Sequence, residues 1–213
     1  MKKEIADIRK DYMLQTLDES NVEEDAISQF TKWWNEAVNS AIDEVNAMTL
    51  ATVSKEGAPS ARIVLLKDYD ERGFVFFTNY NSQKSNELEI NPHAALVFFW
   101  KELDRQIRIQ GVTEKINSEE SDIYFFSRPI GSRIGAWASP QSAVIDSRKM
   151  LEEKVKLYTE QFGGNVPRPP YWGGYRVIPF LIEFWQGRSN RLHDRIRYSK
   201  NGDISWRIER LAP

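Results

Sequence analysis

The 213-residue sequence contains no cysteine, and its only histidines are His93 and His193. The lack of cysteine excludes disulfide bonds, thiolate metal sites and cysteine nucleophiles. Two histidines far apart in the chain are a poor basis for a zinc site, which needs three or four protein ligands. We therefore expect no bound metal.

The sequence also lacks long apolar segments and an excess of either charge. No apolar run approaches the ~20 residues of a membrane-spanning helix, and the opening "MKKEIADIRKDYML" lacks the apolar core of a signal peptide. The net charge of −2, from 29 basic and 31 acidic residues, gives no overall attraction to nucleic acid or to an anionic membrane. These absences predict a cytoplasmic protein that binds neither nucleic acid nor membrane.

Aromatic residues, in contrast, are abundant. Phe, Trp and Tyr make up 12% of the chain, with seven tryptophans and eleven phenylalanines. Most of these rings should lie in the core, but a flat ligand would also use some of them. Neither G-x-G-x-x-G nor G-x-x-x-x-G-K-[ST] is present, so a nucleotide-like cofactor would have to bind by another route.

The spacing of apolar residues predicts helices at the start and strands afterwards. A loose helical pattern (Ile5, Ile8, Tyr12, Leu17) precedes a clear apolar stripe in "EDAISQFTKWWNEAVNSAI". From Ala47 onwards the pattern predicts seven or eight antiparallel strands, interrupted by helices at "SQKSNELEINP", "NSEESDIYFFSRP" and "DSRKMLEEKVKLYTEQF". Regular strand spacing favours a barrel over an open sheet, so the expected class is mainly β with peripheral α-helices.

Two clusters of polar residues follow predicted strands. In "RIVLLK", strand alternation should place Arg62 and Lys67 on opposite faces, and a buried strand with a basic residue at each end would explain the pattern equally well. In "FTNYNSQKS", a helix start with Thr78, Ser82 and Lys84 could bind a phosphate group. An ordinary strand-to-helix turn is the alternative.

Two further clusters combine arginines with other polar groups. In "YFFSRPIGSR", Tyr124 and Arg128 should share one helix face near Ser132 and could converge on an anion; the alternative is a surface arginine beside a core tyrosine. In "WQGRSNRLHDRIRY", four arginines surround His193, although a basic strand edge that blocks edge pairing would also account for them. Together the four clusters indicate two anionic groups and a flat ligand.

Several of these motifs occur in a recognisable order along the chain. They are "RIVLLK", "FFTNYNSQK", "RQIRIQG", "YFFSRPIGSRIGAWAS", "QS" and "WQG…RLHDR…W…RLAP", of which the last, ending in "ERLAP", is the most specific. On these motifs the sequence resembles the pyridoxamine 5′-phosphate oxidase family over nearly its whole length. The resemblance implies an FMN-binding split β-barrel at residues 22–213, preceded by a partly helical N-terminal segment at residues 1–21. It also implies a homodimer with FMN at the subunit interface.

The resemblance assigns roles to individual residues. It implies that the following residues bind FMN: Arg62, Ile63, Val64, Leu65, Leu66, Lys67, Phe77, Thr78, Ser82, Gln83, Lys84, Gln106, Gln141, Ser142, Trp185 and Arg195. It implies that the following bind the substrate: Lys67, Tyr124, Arg128, Ser132, Arg191, Leu192 and His193. Within this second set, Arg191 and His193 would face the reacting ring and act as the catalytic residues.

The implied reaction is oxidation of pyridoxamine 5′-phosphate or pyridoxine 5′-phosphate to pyridoxal 5′-phosphate, with O₂ reduced to H₂O₂. A related split-barrel oxidoreductase with another substrate would lack the substrate set, whose members are all present here. A non-catalytic carrier or sensor that binds flavin or pyridoxal phosphate stays open. The chain departs from the family pattern at Gln83, where arginine is common, and at Phe77, where tyrosine is common. We expect Gln83→Arg to tighten FMN binding by about tenfold at most, because arginine forms charged contacts with phosphate.

Overall fold

The structure is a computed structural model that describes residues 12, 14–202 and 205–213. Within these residues the α-helices are α1 (Ala26–Val38), α2 (Gln83–Ile90), α3 (Ser118–Ser127), α4 (Ile130–Ala138) and α5 (Arg148–Phe162). The strands are β1 (Ala47–Val53), β2 (Pro59–Leu65), β3 (Asp68–Asp70), β4 (Gly73–Asn79), β5 (His93–Trp100), β6 (Arg105–Lys115), β7 (Trp172–Gln186), β8 (Asp194–Asn201) and β9 (Ser205–Arg210). None of the helices in the described part of the chain is long and apolar enough to cross a membrane.

The strands form one hydrogen-bonded sheet in the order β2-β1-β5-β6-β7-β4-β3, with β8 paired to β7 and β9 paired to β8. Besides its pairing with β6, strand β7 is long enough to use two further partners: Trp172–Val177 pairs with β4, and Leu181–Gln186 pairs with β8. Both pairings are antiparallel, as are β3 with β4 and β8 with β9. The predicted antiparallel character is confirmed for these four pairs.

The chain divides into two compact units. The first comprises the residues up to Thr49 together with Ala95–Gln110 and Pro179–Pro213, and the second comprises Leu50–Ala94 and Gly111–Ile178. In the second unit, strands β2 and β3 lie at opposite ends of the strand order, yet only Leu66 and Lys67 separate them in the chain. The sheet of this unit must therefore curl until its two ends meet.

A glycine permits the tight turn between β3 and β4. Gly73 has a φ of +140°, and a Cβ at this position would collide with the carbonyl oxygen of Val177. Glycine alone combines this conformation with so close an approach of two backbones. The turn sets the register of β4, whose far end carries Phe77 and Thr78.

In the first unit, α1 covers an aromatic core. Asp25 caps the helix by accepting hydrogen bonds from the backbone N–H groups of Ile27 and Ser28, at 2.8 and 2.9 Å. The apolar stripe then places Phe30 at 5.5 Å from Phe98 and Trp33 at 5.2 Å from Phe184, measured between ring centroids. The amphipathic helix predicted from this stripe is confirmed.

Other predicted elements differ from the structure in instructive ways. The predicted strand "SARIVLLKDYD" is broken at Leu66–Lys67 into β2 and β3. Helix α4 was not predicted, because Pro129 and Gly131 suggested a break; Pro129 is instead the N-cap residue, where its missing N–H costs little. The "YWGG" segment assigned to a loop contains the start of β7. The predicted N-terminal helix falls mostly on residues outside the described part, and Leu17, within it, is not helical.

Candidate active site

A cavity of about 370 Å³ in the second unit gathers many of the residues that the sequence singled out. Its walls come from β2 and the link to β3, the end of β4, the first turn of α2, the end of α3, the loop after α4 and the start of β7. The lining residues are Arg62, Ile63, Val64, Leu65, Lys67, Phe77, Thr78, Lys84, Tyr124, Arg128, Gln141 and Trp172. Four of them are cations, so the cavity is suited to an anionic ligand.

The positions of Arg62 and Lys67 correct one expectation. Strand alternation predicted opposite faces for the two side chains, but both line the same cavity. The reason is that β2 ends at Leu65, so the alternation does not extend to Lys67. No residue of β2 is fully buried, which also removes the alternative of a buried strand with basic ends.

Lys84 is the most buried of the four cations, with a relative exposure of 9%. Its Nζ lies 3.2 Å from Thr78 Oγ1, 3.3 Å from Ser82 Oγ and 3.0 Å from Gln141 Oε1, all of them neutral groups. Burial, assisted by the charge of Arg62 and opposed by Glu87, lowers the pKa of Lys84 to about 8. A buried ammonium surrounded by neutral acceptors is ready to be balanced by a ligand's negative charge.

Arg62 is held by a network that the sequence did not reveal. Its guanidinium donates to Thr52 Oγ1 at 2.5 Å and to Ser60 Oγ at 2.6 Å, and it lies 3.4 Å from Glu87 Oε2. Burial alone would raise the pKa of Glu87, but hydrogen bonds from Ser60, Thr52 and Gln83 and the charge of Arg62 outweigh it and lower the pKa to about 2. Glu87 follows Lys84 by three residues in α2, and this helical spacing was the only sequence signal for it.

Arg128 lies against an aromatic stack. It does not share the helix with Tyr124 as predicted, since α3 ends at Ser127 and Arg128 has extended backbone angles. Its Cζ is 4.7 Å from the ring centroid of Trp172, and burial lowers the pKa of its guanidinium. One terminal nitrogen, Nη1, is buried without a hydrogen-bond partner. A buried N–H donor without a partner destabilises the protein unless a ligand accepts a hydrogen bond from it.

The stack itself consists of Phe77, Tyr124 and Trp172. The rings of Phe77 and Tyr124 are 4.0 Å apart with an interplanar angle of 23°, and Phe77 and Trp172 are 5.4 Å apart with an angle of 12°. Trp172 was missed because its segment was assigned to a loop. These rings form a flat apolar wall beside the cations.

Other residues predicted for this site lie at its margin. Gln83 Nε2 donates to Glu87 Oε1 at 2.9 Å, and Gln83 lines a neighbouring cavity of about 520 Å³ together with Gln141 and Ser142. Ser82 occupies the N-cap position of α2, but its side chain makes no capping hydrogen bond. Leu66 is buried and Ser132 is exposed, and neither lines the 370 Å³ cavity.

The remaining predicted residues belong to the first unit. His193 lies 4.6 Å from Trp185 and 5.7 Å from Tyr12, measured between ring centroids. Its Nδ1 accepts the backbone N–H of Arg188 at 3.1 Å, so a neutral ring carries its proton on Nε2. Burial, assisted by the charge of Arg191 and opposed by Asp194, lowers the pKa of His193. At neutral pH the ring is therefore a neutral Nε2–H donor.

The four arginines around His193 differ in their partners. Arg188 pairs with Asp194 at 3.7 Å, Arg195 with Glu183 at 2.8 Å, and Arg197 with Glu209 at 2.7 Å.

Arg191 makes no such pair with any described carboxylate, and it is exposed in a short turn where its φ is +61°. Leu192 beside it is 68% exposed, and Gln106 on β6 is half-buried. The positive charge of this segment is thus largely neutralised, with Arg191 as the exception.

The sequence matches known families along most of its length. Residues 34–162 match the family described as pyridoxamine 5′-phosphate oxidase. The chain belongs to this family. Residues 172–213 match the family described as the pyridoxine 5′-phosphate oxidase C-terminal dimerisation region. Over 209 residues, 98% of this chain and 99% of the relative, it is 57% identical to the pyridoxine/pyridoxamine 5′-phosphate oxidase of Paraburkholderia phymatum. Pyridoxine/pyridoxamine 5′-phosphate oxidase 1 of Ralstonia nicotianae is similar to the same extent.

Solved structures support the fold of this family member. The structure of PhzG from Burkholderia lata, in complex with tetrahydrophenazine-1-carboxylic acid, has a TM-score of 0.88 at 30% identity and covers 94% of this chain and 99% of PhzG. A pyridoxamine 5′-phosphate oxidase-related, FMN-binding protein from Nostoc punctiforme has a TM-score of 0.70 at 16% identity, over 90% of this chain and all of that one. The predicted mainly β, split-barrel class is confirmed.

Proposed function

We propose that this family member oxidises pyridoxamine 5′-phosphate and pyridoxine 5′-phosphate to pyridoxal 5′-phosphate, with FMN as cofactor and O₂ reduced to H₂O₂. The observation that carries the proposal is the 370 Å³ cavity, where four cations face an aromatic wall. Both the proposed cofactor and the proposed substrate combine a flat ring system with a phosphate. The relatives that are 57% identical carry the name of this activity.

The residues present fit the phosphate of FMN. Lys84 is buried among neutral acceptors, and Arg62 beside it is held by hydroxyl groups. A phosphate would provide the counter-charge that Lys84 lacks and would accept charge-assisted hydrogen bonds from both cations. Bound flavin would supply the two-electron acceptor of the reaction. The protein would contribute binding and orientation, which explains why the sequence shows no acid–base pair of carboxylates.

A second group of residues would hold the substrate. Lys67 and Arg128 would bind its phosphate, with Tyr124 and Ser132 as further donors, and the unpaired Nη1 of Arg128 supports this role. Arg191 and His193 would restrain the pyridine ring. Because the Nδ1 of His193 already accepts a hydrogen bond, its Nε2–H is left to donate to a ring substituent.

The proposal includes a homodimer with FMN at the interface. The match of residues 172–213 to a dimerisation region supports association of two chains. The division into a segment at residues 1–21 and a single domain at 22–213 is part of the same proposal. The cytoplasmic location stays a prediction from the sequence.

The test is turnover by the purified protein. We expect FMN to be released on denaturation and pyridoxamine 5′-phosphate to bleach the flavin without oxygen. In air, H₂O₂ and pyridoxal 5′-phosphate should form in equal amounts. Unphosphorylated pyridoxamine is the matched control and should react far more slowly.

Three outcomes would contradict the proposal in different ways. Release of FAD would refute the cofactor. Binding of FMN without bleaching by either phosphorylated substrate would favour the non-catalytic carrier or sensor. Equal rates with phosphorylated and unphosphorylated substrates would refute the role of the cationic cavity.

A further inference from the structure

The buried carboxylate of Glu87 has no role in the reaction as described so far. Its relative exposure is 6%, and it lies on α2 between the exposed Asn86 and the buried Leu88. It accepts hydrogen bonds from Thr52 Oγ1, from Ser60 Oγ at 2.6 Å and from Gln83 Nε2 at 2.9 Å. Burying a carboxylate costs desolvation free energy, which the hydrogen-bond donors around it must offset.

The direction of these hydrogen bonds determines what the hydroxyl groups offer to Arg62. An ionised carboxylate only accepts, so the single hydrogens of the Thr52 and Ser60 hydroxyls must point toward Glu87. The lone pairs of both oxygens are then turned toward the guanidinium of Arg62, which donates to them at 2.5 and 2.6 Å. Glu87 thereby acts on Arg62 mainly through two intervening hydroxyls, since its direct contact with Arg62 is 3.4 Å.

We propose that Glu87 is a positioning residue, which orients the Thr52 and Ser60 hydroxyls so that they hold Arg62 toward the phosphate of the cofactor. The proposal rests on the proposed function, because it concerns the same FMN site. It also assigns a role to Gln83: the amide binds Glu87 Oε1 and leaves Oε2 for the two hydroxyls.

The test compares FMN with riboflavin, which lacks the phosphate, in titrations of the full-length protein stripped of flavin. In Glu87→Ala the hydroxyls lose their common acceptor. We expect FMN to bind about tenfold more weakly and riboflavin to bind as in the wild type. In Glu87→Gln an acceptor oxygen of the same shape remains, so we expect FMN affinity within about threefold of the wild type.

Glu89 offers a matched control on the same helix. Its carboxylate contacts Tyr175 and Lys115 and makes no contact with Arg62. Glu89→Ala removes the same charge from α2 and should leave the ratio of FMN to riboflavin affinity unchanged. The thermal unfolding temperature and the riboflavin affinity of each variant are measured separately. Together they distinguish a loss of folding from a loss of the phosphate contact.

Each outcome bears on the proposal. An unchanged affinity ratio in Glu87→Ala overturns it, as does a loss of riboflavin binding equal to the loss of FMN binding. If Glu87→Gln binds FMN as weakly as Glu87→Ala does, Glu87 does not act by orienting the two hydroxyls. If both variants bind FMN more tightly than the wild type, Glu87 acts only as a charge that repels the phosphate. A wild type that binds no FMN would overturn the proposed function as well, whereas the other results leave that function intact.

Discussion

The basic clusters of the two units balance their charge in different ways. In the first unit, Arg195 and Arg197 each lie within 2.8 Å of a carboxylate. In the second unit, the buried ammonium of Lys84 contacts only neutral acceptors, and Arg128 keeps a buried nitrogen without a partner. The number of basic residues in a segment is therefore a poor guide to its affinity for anions.

The difference has a physical basis. A guanidinium that already pairs with a carboxylate gains little from a second anion, and exposed pairs contribute only ~0–1 kcal/mol in any case. A buried cation without a counter-charge keeps its desolvation cost until an anion arrives. Anion binding should thus depend on the cations without a carboxylate partner, namely Lys84 and Arg128 in the second unit and Arg191 in the first.

The largest effect should separate Arg191 from Arg197. Arg191→Ala removes the arginine that has no described carboxylate partner, and we expect turnover to fall about a hundredfold, as misplacement of a substrate typically costs. FMN affinity should stay within about twofold. Arg197→Ala, which leaves Glu209 paired with Arg207, should change neither. Steady-state H₂O₂ release and FMN titration measure both quantities, and loss of flavin from the Arg191 variant would place that residue at the cofactor.

His193→Ala should lower turnover in the same way, also with FMN still bound. The neutral ring donates through Nε2–H, because Nδ1 accepts the N–H of Arg188. Since burial lowers the pKa of His193, the ring takes up a second proton only at a pH below the ordinary pKa of histidine. This protonation would then break the bond from Arg188. Turnover should accordingly decline toward acidic pH in the wild type, and a profile identical to that of the alanine variant would contradict this.

A somewhat smaller effect is expected at Arg128. Replacing it by methionine keeps the apolar contact with Trp172 but removes the buried N–H donors. A charged hydrogen bond is worth ~2 kcal/mol, so KM for pyridoxamine 5′-phosphate should rise roughly thirtyfold. The KM for unphosphorylated pyridoxamine should not move. A similar rise for both substrates would mean that Arg128 supports the site without binding phosphate.

The pH dependence of FMN binding should report on Lys84. Its pKa of about 8 means that Lys84 is charged at pH 7 and loses its proton above about pH 8. Bound phosphate favours the charged form, so FMN affinity should fall as pH rises from 7 to 9, by up to about tenfold per unit above the pKa. Riboflavin should show no such decline, and Lys84→Met should abolish it. A flat FMN profile in the wild type would exclude contact with the phosphate.

The smallest effect should come from Gln83→Arg. The new guanidinium would lie one helical turn before Glu87 and would pair with it, so we expect FMN affinity to change by less than about threefold. In the double variant with Glu87→Gln the guanidinium is released, and affinity should rise up to about tenfold, more so at low salt. A tenfold gain in the single variant would show that Glu87 does not capture the arginine.

Much of the fold was predictable because the signals are local. The stripe containing Phe30 and Trp33 predicted α1, and alternating residues predicted most strands. Helix α4 and the start of β7 were missed because proline and glycine there suggested breaks and loops. Of the site, the motifs identified Arg62, Lys84 and Arg128, but not Glu87 or Trp172, whose importance depends on contacts with residues distant in the chain.

By itself the sequence determined the identities of the charged and aromatic side chains, the lack of thiols and the periods of helix and strand. Only the tertiary structure decided which arginines are neutralised and which are left for a ligand. It decided this because a salt bridge depends on distances of a few ångströms between residues such as Arg195 and Glu183. The tertiary structure also placed Arg62 and Lys67 in the lining of one cavity. This is possible because β2 ends at Leu65, and side-chain alternation holds only while the strand continues.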